Sequence, residues 1–142
     1  MSDYSAITRI TNLRLRTHIG FNPDERTKRQ DVVINAEIHH VAKPEALHDD
    51  VEAALDYKLI SKSIIDHVEE GRFLLLERLA SDLVEICSQD TAVTRALVTV
   101  DKPHALRFAD SVSLTLRFDR QQSQQTSENP HEKYPRSLSQ AS

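Results

Sequence analysis

Glu77, Lys102, Tyr57 and Glu25 are side chains of types that move protons or hold a polar ligand, and their surroundings sharpen that reading. At helical spacing the neighbours of Glu77 are Phe73, Ala80 and Val84. A carboxylate that interrupts an apolar line must be paired or must accept hydrogen bonds, because burying it alone is costly. It suits an anchor for an amidine-like ring edge, such as that of guanine or a pterin, which offers two N–H groups to one carboxylate. It equally suits a helix-edge glutamate whose stem covers apolar surface. Lys102 continues the face of Ala96, Val98 and Val100 but stands just past that strand, before Pro103. A rim lysine takes part in proton transfer when desolvation or nearby positive charge lowers its pKa. Otherwise it is a plain surface charge, as is Asp101 beside it.

Tyr57 follows Leu55 and Asp56, and the other two tyrosines, Tyr4 and Tyr134, lie in flanking segments. Its hydroxyl both donates and accepts while its ring packs, so it is open to a chemical role or to ordinary packing. Glu25 lies in the polar stretch after Gly20, where a solvated loop charge is the plain alternative. Arg14, Arg16, Lys28, Arg29 and Arg107 offer a positive rim for a phosphorylated group, or ordinary surface charge.

Other chemistries find less support. His39 and His40 are adjacent and so face opposite sides of a strand. His18, His67 and His104 are dispersed, and no His-Glu-x-x-His or paired-cysteine pattern is present, so no catalytic metal is expected. With two glycines, Gly20 and Gly71, the chain lacks the material for a Gly-rich phosphate loop. The single cysteine, Cys87, has no internal partner and falls on the apolar side of a helical pattern, where it reads as core.

The elements that must position these residues follow from periodicity. Ile10 to Thr17 alternates, with Leu13 and Leu15 opposite Arg14 and Arg16. A polar loop from Asn22 to Arg29 leads to a strand in which Ile34, Ala36 and Ile38 share one face. Pro44 and the Asp49-Asp50 pair mark a turn-rich stretch, with either aspartate able to cap a short helical turn. Ile60, Ile64 and Val68 recur one turn apart in a helix closed by Gly71. Leu75, Leu76, Leu79, Leu83 and Ile86 make the apolar stripe of a second helix. Ala96 to Val100 and Val112 to Phe118 alternate as two last strands. Two strands, two helices and two strands imply an α+β layer, one antiparallel sheet with helices on one face.

Residues 1–120 therefore read as one domain. Residues 121–142, rich in Gln, Ser and charge, read as a disordered tail. The length of 142 residues allows one thin core, and with 5% aromatic residues the sheet gains from closing its edges against other copies. A net charge of −4 gives no basis for nucleic-acid binding. No run of 18 apolar residues suggests a membrane span, and the start lacks a signal-peptide pattern, so a cytoplasmic protein is expected.

Four segments in order carry a further signal: Asn12-Leu13-Arg14-Leu15-Arg16-Thr17-His18-Ile19-Gly20, Leu55-Asp56-Tyr57, Leu75-Leu76-Glu77-Arg78-Leu79-Ala80, and Asp101-Lys102-Pro103-His104-Ala105-Leu106-Arg107-Phe108-Ala109-Asp110-Ser111-Val112-Ser113. In these the chain resembles the dihydroneopterin aldolase/epimerase family, over roughly residues 5 to 120. The resemblance implies a tunnelling fold, with a four-stranded antiparallel sheet, two helices outside it, and four subunits closing a barrel. Two such rings stack in an octamer, so a homotetramer or homo-octamer with sites at subunit interfaces is implied. Glu77 would hold the 2-amino and N3 edge of a dihydropterin. Lys102 matches the catalytic lysine, Tyr57 the tyrosine lent by a neighbouring subunit, and Glu25 the loop glutamate beside the reacting side chain. Arg107 is the candidate phosphate contact. The implied reaction is a cofactor-free retro-aldol step at the pterin side chain. It ends either in epimerisation at C2' of 7,8-dihydroneopterin triphosphate or in release of 6-hydroxymethyl-7,8-dihydropterin and glycolaldehyde. The turn after Lys102, without glycine, resembles the epimerising branch. A non-catalytic pterin-binding or ring-forming protein is the contrasting reading; it would keep Glu77 without needing Lys102 and Tyr57.

Overall fold

The computed structural model describes residues 4–121. The chain runs β1 (Tyr4–Ile19), α1 (Pro23–Thr27), β2 (Gln30–Ala42), α2 (Pro44–Leu47), a single 3-10 turn (Val51–Ala53), α3 (Tyr57–Glu70), β3 (Arg72–Phe73), α4 (Leu76–Cys87), β4 (Val93–Pro103) and β5 (Ser111–Asp119). The sheet order is β3-β1-β2-β4-β5, antiparallel except where β3 lies parallel to the end of β1. The expected tail lies beyond Gln121, outside the described residues.

The sheet thus has five strands rather than the expected four. The addition, β3, pairs Arg72 with His18 and Phe73 with Ile19. Two residues are too few to show a period of two. They are held by tertiary contacts: Phe73 is buried, and its carbonyl accepts from the Gly20 amide at 2.9 Å. Gly71, just before, closes α3 with φ −95°, so it is not the left-handed cap its sequence position suggests. A Cβ there would stand 2.5 Å from the Phe73 ring, so glycine is required by close approach.

Sidedness follows the alternation. Val32, Ile34, Ala36 and Ile38 of β2 and Ala96, Val98 and Val100 of β4 are buried beneath Ile60, Ile64 and Val68 of α3 and Leu79, Ala80, Leu83 and Cys87 of α4. Burial pushes the Cys87 thiol up to about 12, so it is inert core. The opposite sheet face is a polar ladder. Arg9 meets Glu37 at 3.3 Å, Arg95 meets Asp119 at 2.6 Å, and the hydroxyls of Thr99 and Thr115 lie 2.6 Å apart.

β1 begins well before the expected Ile10. Its first half was illegible because parity changes at a bulge between Ile10 and Leu13. Asn12 sits there at φ 55°, a region asparagine tolerates better than most residues, and its amide donates to Asn35 Oδ1 at 2.8 Å. Asp56 caps α3 by accepting from the Leu59 amide at 3.0 Å, and Asp50 caps the 3-10 turn. Among the described residues, no helix is long and apolar enough to cross a membrane.

Candidate active site

Lys102 lies within β4, pairs with Val112 of β5 and points to the helix side of the sheet, where it is 9% exposed. It is therefore not the rim charge that its place beside Pro103 suggested. A buried ammonium needs a counter-charge, and Glu25 supplies it: Lys102 Nζ donates to Glu25 Oε2 at 2.8 Å.

The approach of Glu25 is arranged locally. Pro23 opens the single-turn α1, and the Glu25 side chain folds back so that Oε1 accepts from the Asn22 amide at 3.2 Å. The carboxylate then rests against Gly20, whose φ is +123°, and a Cβ on Gly20 would stand 2.1 Å from Oε1. Glycine is required twice, by conformation and by contact. The hydrogen bond from Lys102 is the main cause holding the Glu25 carboxyl below its usual range. Partial burial opposes it, and Asn22 and Gln30 add to it. Glu25 is thus an ionised, fixed carboxylate rather than a solvated loop charge.

Glu25, Lys102 and Glu77 line one cavity of about 330 Å³, walled by Phe21, Leu74, Leu75 and Leu114 and edged by Ser113. Glu77 stands in the first turn of α4 and is exposed. The apolar line it was expected to interrupt does not exist as one helix face, because Phe73 belongs to β3. Among the described residues its carboxylate has no hydrogen-bond or ion-pair partner. Leu74 and Leu75, which precede α4, are likewise about half exposed; Leu75, expected on the buried stripe, walls the cavity instead. A cavity with apolar walls that is lined by both an open carboxylate and a lysine–glutamate pair suits a flat heterocycle with a polar side chain.

The other two sequence candidates stand apart in this chain. Tyr57 opens α3, is 55% exposed, and lines a different cavity of about 550 Å³ with Asp49, Asp50 and Leu55. Arg107 lies in the β4–β5 turn, its guanidinium 5.6 Å from the ring centre of Phe108, and does not line the 330 Å³ cavity. Gln30 and Leu74 went unnoticed in the sequence, where Leu75 reads as part of a buried stripe and Ser113 as a strand residue. Gly20 was the one available signal, a lone glycine immediately before the loop that carries Glu25. Among the described residues, no three His, Cys, Asp or Glu side chains gather as they would round a metal ion.

Comparison with known proteins gives concordant results. The model of the dihydroneopterin aldolase family matches residues 8–117. The dihydroneopterin triphosphate 2'-epimerase of Escherichia coli K12 is 49% identical over 120 residues, covering 84% of this chain and 100% of the relative. That of Pseudomonas aeruginosa is 50% identical over 108 residues, covering 76% of this chain and 88% of the relative. Among solved structures, E. coli dihydroneopterin aldolase in complex with neopterin superposes with a TM-score of 0.74 at 29% identity, over 80% of this chain and 98% of that one.

Proposed function

The chain belongs to the dihydroneopterin aldolase family, and on that premise we propose that it inverts C2' of 7,8-dihydroneopterin triphosphate to give 7,8-dihydromonapterin triphosphate. The identity of about one half to two relatives with that named activity supports the choice of reaction. The observation that carries the site assignment is the single cavity shared by Glu25, Lys102 and Glu77.

In this reading Glu77 accepts from the 2-amino and N3 groups of the ring, which fixes the pterin between the apolar walls. Lys102 acts as the free amine, its ammonium proton having passed to solvent, and takes up the proton of the 2'-hydroxyl, directly or through a water. The C1'–C2' bond then breaks, its electron pair passes into the dihydropterin ring, and a phosphorylated glycolaldehyde is left beside the enamine. Rotation of the aldehyde presents its other face, the C1'–C2' bond re-forms, and Lys102 returns the proton to the new 2'-oxygen. The ring is the electron sink, so the chain supplies orientation and a proton carrier. Glu25, ionised and fixed, holds the lysine on station and offsets its charge when protonated. An aldolase outcome differs in protonating C1' and releasing the aldehyde; the neopterin-bound aldolase among the structural neighbours makes it the second reading.

Tyr57 is assigned to the site of a neighbouring copy, in a tetramer or octamer. Its exposure supports this, as do the long free edges of β1 and β5, which a closed ring would pair. The test of this sharing is mixing two inactive variants, Tyr57→Phe and Lys102→Met, under subunit exchange. Restored turnover is expected, and none would sink the shared site. Arg107 remains a candidate contact for a phosphate chain leaving the cavity. A cytoplasmic setting suits the lone buried thiol of Cys87.

The deciding experiment is incubation with 7,8-dihydroneopterin triphosphate and chiral separation of the products. Dihydromonapterin triphosphate as the main product is expected. Mainly 6-hydroxymethyldihydropterin would move the assignment to the aldolase, and binding without turnover would make this a pterin-binding protein.

A further inference from the structure

A second, smaller cavity of about 160 Å³ adjoins the first, sharing Gly20, Glu25 and Leu74 with it. Its distinctive lining is basic: His18, Arg26 and Arg72. β3 pairing sets Arg72 beside His18, and Arg72 Nη1 donates to the Arg26 carbonyl at 3.0 Å. Arg29 is close enough to act on His18 too. The His18 ring is held below its usual pKa by partial burial first, then by the charges of Arg72 and Arg29.

The arginines are otherwise unneutralised. Among the described residues, none of Arg26, Arg29 and Arg72 has a carboxylate within ion-pair distance, whereas Arg9, Arg16, Arg78, Arg95 and Arg117 all do. The Arg26 guanidinium makes no hydrogen bond to another described residue. Glu25, the one carboxylate lining this cavity, is already taken by Lys102. Such a concentration of unpaired guanidinium groups in a concave site is complementary to a polyanion of phosphate type.

The order of groups is informative. Glu77 and Lys102 line only the first cavity of the two, Glu25 lines both, and Arg26 and Arg72 line only the second. The proposed substrate has the same order: ring edge, reacting C1'–C2' bond, then a triphosphate three bonds beyond C2'. We infer that the His18–Arg26–Arg72 cavity is the subsite for the substrate's phosphate chain and sets the preference for phosphorylated over unphosphorylated dihydroneopterin. This inference rests on the epimerase reading for its substrate, and it places the main phosphate contacts here rather than on Arg107.

The test uses the full chain and the single variants Arg26→Gln, Arg72→Gln and Arg107→Ala. The quantity read is kcat/KM for 7,8-dihydroneopterin triphosphate divided by that for 7,8-dihydroneopterin. Arg26→Gln and Arg72→Gln are expected to lower this ratio roughly tenfold or more, the scale of one lost charge-assisted contact, with Arg107→Ala shifting it less. Arg26→Gln is the safer variant, since its guanidinium makes no bond that the described fold depends on. An unaltered ratio in both, or a fall confined to Arg107→Ala, overturns the inference while leaving the epimerase reading intact. Inorganic triphosphate, titrated calorimetrically, gives an independent readout should wild type turn over neither pterin. Binding lost in Arg26→Gln supports the subsite even then, and binding equal in wild type and variant overturns it.

Discussion

Of the two glutamates that line the 330 Å³ cavity, Glu25 is tied to Lys102, to the Asn22 amide and, by its fit against Gly20, to the backbone itself. Glu77 stands exposed, with no partner among the described residues. Both are glutamates in the first turn of a helix, so the difference lies in what surrounds them. Glu25 is finished by folding: a buried ammonium requires its carboxylate, and the pair is aligned before any ligand arrives. Glu77 is left open, an acceptor above apolar walls that is free to receive a ligand's N–H groups. Preorganisation sits where proton transfer is proposed, and an unpaired acceptor where recognition is proposed.

Breaking the finished pair should cost most. Lys102→Met removes the proposed proton carrier and is expected to lower kcat by about 10²–10⁴-fold. Pterin binding, measured by quenching of ligand fluorescence, should change far less. Loss of binding equal to the loss of turnover would show that Lys102 mainly holds the ring, and the contrast between the two glutamates would collapse.

Changing the open acceptor should have the reverse pattern. Glu77→Gln keeps size but discards charge and one acceptor. Pterin affinity is expected to fall roughly 10- to 150-fold, the equivalent of about 1.5–3 kcal/mol for a hydrogen bond to a charged group. Thermal stability should hardly move, since Glu77 makes no bond within the described fold. A clear drop in melting temperature would mean that Glu77 serves the fold instead.

The smallest effect sharpens the comparison through pH. Glu25 has a lowered folded-state pKa, so its pairing stabilises the protein above the unfolded carboxylate pKa and is lost as pH falls through the folded value. The stability gap between wild type and Glu25→Gln, taken from urea unfolding, should therefore be full at about pH 7 and narrow only as pH falls below the ordinary carboxylate value of about 4.3. Glu37, Asp82 and Asp119 are lowered too, by His39, by His67 and Arg78 against burial, and by Arg117 and Arg95. They affect both proteins alike, so the difference isolates Glu25. A gap that persists at the acid end contradicts the ion-pair account.

The sequence made some of this legible and hid the rest for identifiable reasons. Residues 60, 64 and 68 and the alternating strands announced themselves because one face of each is buried, which is what periodicity records. β3 and the first half of β1 did not: one is held by tertiary pairing over two residues, the other changes parity at Asn12. Lys102 and Glu25 each looked like surface charge because their meaning lies in a contact 77 positions apart in the chain. Glu77 was singled out, but for a helix face that does not reach back to Phe73, since α4 begins at Leu76. Resemblance to an ordered family pattern brought these residues together when local chemistry alone left each of them open. The basic cavity had no such guide. His18, Arg26 and Arg72 lie in three elements and meet through the β1–β3 pairing and the Arg72–Arg26 hydrogen bond.

The most direct test is a crystal structure with neopterin triphosphate, the oxidised analogue of the proposed substrate. The account predicts the 2-amino and N3 edge on Glu77, the 2'-hydroxyl within hydrogen-bond reach of Lys102 or a water it holds, and the side chain passing Glu25. A pterin ring bound away from Glu77, or a 2'-hydroxyl remote from the Lys102–Glu25 pair, would contradict it.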